Sequence, residues 1–498
     1  MTPNLDELAS NGVRFTQFYN TARCCPTRAS LMTGLYPHEA GVGHLSHNNM
    51  GPGYQGFLNQ ECVTLPELLN EEGYFTAMVG KWHVGTPREA WAETRGFKRF
   101  FGTHNYIDSY FKVLYNCEVF EDGKVVIPKE DYPELLAEEG KEWYTTDVFT
   151  TKALSYIDEA LESGKPFFQY VAYNSPHWPL EAHDQDIKKY VDWYSEGYEK
   201  LRIEKFERMV EMGIVLPEWE LPDQPTPDWN SLSDSAREDT RFRRAIYSAQ
   251  VDIMDQNIGR LIKHLEDRDV LDNTVIFFLS DNGCCAEPHA RIFGYQWGNN
   301  TKWNYKDWRR NSARAGASQG EIWSVASNSP FRLHKRYTHE GGIATPLIIH
   351  WPQGIKNPGS WDWKPGHLID IMPTILELAG GSYPDTFEER EIRRARGISL
   401  LPNLKARESR EHDAIYWEHE GRGAIRQGKW KLVNLVAKDD SQWELYDLEK
   451  DRTETNNLIK EYHEKADELL NIWKVWAEDA KVLPWPDRSK SKRVVIDK

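Results

Sequence analysis

The chain has 498 residues, 40% of them hydrophobic and 28% charged, with a formal net charge of −16. That length supports a large core and two domains, and the negative balance excludes general nucleic-acid binding, so an anionic substrate would need a local basic pocket. No apolar run is long enough to span a bilayer, and cysteines at 24, 25, 62, 117, 284 and 285 show neither a C-x-x-C pair nor the spacing of a disulfide framework.

Residues 2–12 read as a short helix capped by Thr2, opened by Pro3 and closed by Gly12. The strand-like run VRFTQFY at 13–19 leads to Cys24-Cys25-Pro26-Thr27-Arg28. There Pro26 suits the first position of a helix that Gly34 stops. A residue at such a helix start meets unpaired N–H groups and the positive end of the helix dipole, which favour anions. Arg28, one turn in, can fork onto a tetrahedral oxyanion. By themselves the two cysteines read first as small buried residues beside a turn.

Leu65, Leu68 and Leu69 share a helical face, and YFTAMVG at 74–80 reads as a buried strand. Lys81-Trp82-His83 then falls at the C-terminal end of that strand, where α/β sheets place ligands. His83 has an unperturbed pKa near neutrality, which suits proton transfer. After RGFKRFFG at 95–102, His104, Asn105 and Tyr106 are candidates for substrate contact. A helix over 147–163 precedes the strand KPFFQYVAYN, which ends in Ser175-Pro176-His177-Trp178-Pro179.

Residues 182–240 read as surface helices and loops, and 241–266 as a long helix carrying Val251, Met254, Ile258, Leu261 and Leu265. The strand VIFFLS then runs into Asp281-Asn282-Gly283. This triplet is a common turn. Its carboxylate and amide carbonyl are also hard oxygen ligands suited to Ca²⁺ or Mg²⁺. Residues 286–328 read as a long loop walling the pocket. Lys335 lies among Arg332, His334 and Arg336 ahead of Glu340-Gly341-Gly342, with His339 a further candidate. TPLIIHWP at 345–352 is a buried strand. After about residue 400, AIYWEHEG, GAIRQGKWKLVNL and WELYDL read as three antiparallel strands, covered by a helix at about 453–477. His419 lies in the first of them and is a candidate for reaching the pocket.

C-x-P-x-R at 24–28, followed by L-x-T-G at 31–34, resembles the signature of the formylglycine-dependent sulfatases of the alkaline phosphatase superfamily. G-K-W-H at 80–83, P-H-x-P at 176–179, D-N-G at 281–283 and F-R-x-x-K at 331–335 follow in the same order as in that family. The resemblance implies an α/β fold with a large mixed, mostly parallel sheet flanked by helices, plus a small C-terminal α+β subdomain with an antiparallel sheet. The catalytic domain would span 1–400 and the subdomain 401–498.

The activity implied is hydrolysis of an aryl or carbohydrate sulfate ester. Cys24, oxidised to formylglycine by a formylglycine-generating or anaerobic sulfatase-maturating enzyme, would be the nucleophile as its geminal diol. Arg28, Lys81, His83, His177 and Lys335 would bind sulfate and move protons. Asp281 and Asn282, together with the modified Cys24, would hold Ca²⁺, with Mg²⁺ possible. The family's first strand, ending in two metal-ligating aspartates, is expected ahead of Thr2 and is absent from this sequence. No signal peptide is read, and a periplasmic or secreted location is implied by the resemblance alone. Two alternatives share the motifs: a phosphonate or phosphodiester hydrolase, and a catalytically impaired binder of sulfated ligands.

Overall fold

The computed structural model of the chain describes residues 1–46, 50–113, 118–126, 131, 142–223, 226–286, 317–437 and 439–485. Helix α1 (Pro3–Ser10) follows Thr2, whose hydroxyl turns to the Asp6 carboxylate instead of capping a backbone amide. The helix ends before Gly12. Gly12 instead meets a packing need, because a Cβ there would lie 2.5 Å from the Ile349 carbonyl oxygen. Strands β1 (Val13–Phe15) and β2 (Phe18–Tyr19) deliver the chain to α2 (Cys24–Thr33), which Gly34 ends at φ 65°.

A capping box between Thr64 and Glu67 starts α3 (Leu65–Glu71). Strand β3 (Phe75–Lys81) is buried along its whole length, as a central parallel strand covered on both faces must be. Then come β4 (Arg99–Thr103), α4 (Thr145–Glu162), β5 (Phe167–Ala172), α5 (Asp234–Asp267) and β6 (Ile276–Leu279). Helix α6 (Gly320–Asn328) lies in the stretch expected to be loop; its Trp323 is fully buried, which gives the segment a reason to fold. The rest of that expected loop, 287–316, lies outside the described residues. The α7 turn (Glu340–Ile343), β7 (Leu347–His350), β8 (Ser360–Asp362) and α8 (Ile371–Ala379) complete the larger region.

The fold is mixed α/β, and the expected large sheet falls into two halves. In one, β4, β3 and β5 run parallel, with Val79 opposite both Phe101 and Val171. In the other the order is β8-β1-β7-β6; β1 is parallel to β8, and β7 is antiparallel to both β1 and β6. Among the described residues, β5 and β6 are edge strands, and both line one cavity of about 930 Å³. Half-buried Phe167–Val171 and Ile276–Leu279 form its walls, with Leu8, Met254, Ile258 and Ile375. The loops leaving β5 and β6, at 174–178 and 280–285, line it too.

The C-terminal region is an antiparallel meander of β9 (Ile415–His419), β10 (Arg422–Gln427), β11 (Trp430–Asn434) and β12 (Trp443–Asp447). It has four strands where the sequence suggested three, because Gly428, at φ 56°, turns GAIRQGKWKLVNL back on itself. Helix α9 (His463–Asp479) begins later than expected and packs Ala466 and Leu469 with Ile425 and Leu432. The two regions meet through a buried ion network. Lys431 Nζ lies 2.8 Å from both Glu340 Oε1 and Glu454 Oε1, and Arg452 Nη2 lies 3.0 Å from Glu340 Oε2. Among the described residues no helix is long and apolar enough to cross a membrane.

Candidate active site

Every residue of α2 is buried. Its start is fixed locally: Thr27 Oγ1 accepts from the Thr21 amide at 3.2 Å, and Asn20 Oδ1 from the Ala22 amide at 3.0 Å. The helix opens on Cys24 itself, so Pro26 stands within the first turn and not at its first position. This places Cys24 where the unpaired amides of the helix are.

Arg28 reaches across the site. Its Nη2 donates to Asp281 Oδ2 at 3.0 Å, and its Nη1 donates to the Lys81 carbonyl and, at 3.4 Å, to Tyr170 OH. Burial opposes the guanidinium charge, but Tyr170 and Asp281 outweigh it, so the proton is held more tightly than usual. Tyr170 is a site residue that sequence reasoning missed; its position on the apolar strand β5 reads only as core.

Lys81 ends β3, and His83 follows at φ 60°. Side-chain ligand atoms of Cys24, Cys25 and His83 all lie within 4.8 Å of one another. The Cys24 thiol is held well below its usual pKa by a hydrogen bond from Cys25, against the effect of burial, and then by Lys81, His83 and Lys335. Burial and the field of Lys81 push His83 down to about 4, so its imidazole is neutral at pH 7. Burial also lowers Lys81, with Cys24 opposing and Arg28 reinforcing the shift.

His177 Nδ1 donates to the Trp178 carbonyl at 2.7 Å, which leaves Nε2 to face Lys335 Nζ at 3.4 Å. Burial and then Lys335 hold His177 well below the usual histidine range. Asn282 donates through Nδ2 to the Gly283 carbonyl, whereas its Oδ1 is buried with no hydrogen-bond partner. A buried acceptor in that state is costly unless something fills it, and an amide oxygen beside the Asp281 carboxylate fits a hard cation.

Main-chain bonds lace these loops together. Lys335 N donates to the Cys284 carbonyl at 3.2 Å, Arg336 N to the Ala22 carbonyl at 2.9 Å, and Gly283 N to the Gly342 carbonyl at 3.0 Å. At Gly283 a Cβ would fall 1.8 Å from the Gly341 carbonyl oxygen. Arg28, Lys81, His83, His177, Asp281, Asn282 and Lys335 are therefore brought to one site around Cys24. The weaker candidates are not. His104 is buried in a stack between Trp91 and Phe100. His339 is engaged with Glu444 at 2.8 Å, and His419 is buried against His44.

A buried Cys24 ringed by Arg28, Lys81 and Lys335, beside the Asp281 and Asn282 oxygens on an α/β frame, is a setting suited to tetrahedral anions. The chain belongs to the sulfatase family: the Sulfatase family model matches residues 1–382, and the N-sulphoglucosamine sulphohydrolase C-terminal model matches 331–474. It is a sulfuric ester hydrolase. The chain is 32% identical to an uncharacterised sulfatase of Schizosaccharomyces pombe over 98% of its length and 91% of the relative's. It is 29% identical to an arylsulfatase of Klebsiella aerogenes, covering 80% of this chain and 86% of that protein. It is 26% identical to an N-acetylglucosamine-6-O-sulfatase of Bacteroides thetaiotaomicron over 95% of this chain and 81% of the relative. In fold it matches the crystal structure of Ps i-CgsB, with a TM-score of 0.66 at 24% identity over 96% of this chain and 88% of that one.

Proposed function

We propose that the chain hydrolyses an aryl or carbohydrate sulfate ester with residue 24, converted from cysteine to formylglycine, as its nucleophile. The observation that carries this reading is the gathering of Arg28, Lys81 and Lys335 with two neutral imidazoles about Cys24. The Cys24 sulfur marks the place of the modified side chain. When present, the hydrated aldehyde supplies a hydroxyl nucleophile, and a divalent cation, Ca²⁺ or alternatively Mg²⁺, supplies Lewis-acid charge. Asp281 and Asn282 would hold that cation through their hard oxygens, together with residue 24.

Arg28, Lys81 and Lys335 bind and orient the sulfate oxygens. His83, neutral with its pKa at about 4, orients the nucleophile and takes its proton. His177 presents the unprotonated Nε2 to Lys335. A sulfate between the two adds negative charge, raises the imidazole's affinity for a proton and lets the pair deliver one to the leaving oxygen.

The catalytic domain is assigned to 1–400 and the antiparallel subdomain to 401–498. One further strand, the one expected ahead of Thr2, suits the cavity between β5 and β6. Phe167–Val171 and Ile276–Leu279 give that cavity an apolar wall on each side, the kind of surface a strand covers. Both flanking edges also offer backbone groups to pair. Conversion of Cys24 requires a formylglycine-generating or anaerobic maturating enzyme, and an exported location accompanies this reading.

The test is peptide mass spectrometry of the fragment containing Cys24 after co-expression with a maturating enzyme, paired with a chromogenic aryl sulfate assay in calcium. Aldehyde at residue 24, with turnover abolished in Cys24→Ala, is the expected result. An unmodified thiol with no turnover, even after a strand is supplied for the cavity, would sink the reading.

A further inference from the structure

The turn between β9 and β10 carries a residue its geometry disfavours. Glu420 and Gly421 are its two central residues, and both have left-handed backbone, φ 54° and 79°. A two-residue hairpin turn of that kind favours Asn or Gly at its first position, where an L side chain such as glutamate is strained. The Glu420 side chain is nevertheless drawn inward, and the residue is only 4% exposed.

Its carboxylate gathers side chains from three distant segments. Oε1 accepts from Arg23 Nη1 at 3.0 Å and meets His44 Nε2 at 2.9 Å. Oε2 accepts from Arg336 Nε at 2.9 Å and from Arg336 Nη2. Arg422 Nη1 stands 3.8 Å from Oε2. His419 stacks on His44 at 5.3 Å. His44, His419 and Glu420 have the spacing of a metal site, but three guanidinium groups converging on one carboxylate repel a cation.

The two arginines matter for what they adjoin. Arg23 is the chain neighbour of Cys24, and Arg336 that of Lys335. Arg336 N donates to the Ala22 carbonyl, and both of these residues also have left-handed backbone, φ 84° and 65°. Three non-glycine residues in that conformation therefore meet at one node, which persists only if its surroundings hold it. The same hairpin adds a second tie, because Trp417 Nε1 donates to the Asn20 carbonyl at 2.7 Å.

We propose that Glu420 is a positioning residue: through Arg23 and Arg336 it sets Cys24 and Lys335 in register, so the C-terminal subdomain completes the active site. This inference rests on the sulfatase reading of those two residues. Glu420→Asn installs a residue the turn prefers, and Glu420→Gln keeps the shape without the charge. Both variants are made in the full chain, with circular dichroism giving the folded fraction at the assay temperature.

Two readouts are taken. In the aldehyde-bearing enzyme, kcat per folded molecule falls about 10- to 100-fold in both variants, as expected when reacting groups shift by about an ångström. In the unconverted thiol form, calorimetry with inorganic sulfate shows Kd raised about tenfold as Lys335 loses its place. Both quantities staying within twofold of native, or losses matching only the unfolded fraction, would overturn the proposal. Tighter sulfate binding would also overturn it, because Glu420 would then act only by damping positive charge. If the sulfatase reading fails its own test, the sulfate readout still decides this one.

Discussion

Two buried lysines, Lys81 and Lys431, sit in opposite electrostatic settings. Lys431 is 0% exposed and lies between Glu340 and Glu454; burial works against its charge, but the carboxylates outweigh burial and its pKa is raised. Lys81 is 3% exposed; burial prevails over the attraction of Cys24, Arg28 adds repulsion, and its pKa is lowered. The same side chain at the same depth is a joint in one place and, in the proposed function, a binding group in the other. A cluster that completes its own charges holds domains together, whereas one that leaves its cations destabilised is arranged for an anion from outside.

The sharpest way to break this comparison is to remove Lys431 and, in turn, a lysine beside Cys24, Lys335, which is as deeply buried as Lys81. Lys431→Met strands Glu340 and Glu454 in the interior and is expected to cost about 3–5 kcal/mol in urea unfolding, with kcat of the folded fraction held. A kcat loss exceeding the stability loss would erase the distinction. Lys335→Ala is the mirror case. It should lower kcat/KM by about 10²–10³-fold with no drop in thermal midpoint, because one of several like charges departs; a midpoint that falls would make Lys335 structural.

A smaller effect is expected at Asn282. Asn282→Ala removes the buried Oδ1 and should raise the calcium concentration for half-maximal activity about 10- to 100-fold. An unchanged calcium titration would move the cation elsewhere. Acid titration gives the smallest signal. Burial opposes the Glu340 carboxylate, and Lys431 with Arg452 nonetheless hold its pKa at about 2, against 4.5 for the ordinary group. Its folded pKa is the lower one, so its contribution is complete above pH 4.5 and lost as pH falls toward 2. That limb of the stability profile should shrink in Lys431→Met, and an unaltered limb would show that other carboxylates carry it.

The chemistry proposed for this chain is legible in its sequence because it is written in short motifs. Cys24 to Arg28, Lys81 to His83, and Asp281 with Asn282 each span only a few residues. The frame that joins them is not. Glu420 lies in a two-residue turn with no periodicity to flag it, and Arg23 reads as a flank of the cysteines. His104 shows the reverse error. It follows a strand as a ligand would, yet three dimensions stack it against Trp91 and Phe100. The split of the large sheet follows from β5 and β6 each standing at the edge of its own sheet among the described residues, which strand propensity does not encode. Trp323, which makes α6 a helix, finds its partners in Tyr194, Tyr198 and Trp229, far away in sequence.

The bonds from Lys335, Arg336 and Gly283 to the Cys284, Ala22 and Gly342 carbonyls use main-chain atoms alone. Such a lattice is indifferent to which side chains project from it. Heritable variation can therefore exchange the groups lining the pocket, one codon at a time, without first redrawing the loops that present them. The same indifference fails at Gly283 and at Gly342, where even a methyl group would collide with the carbonyl oxygens of Gly341 and Tyr337. These positions should stay closed to drift while the lining around them explores new esters.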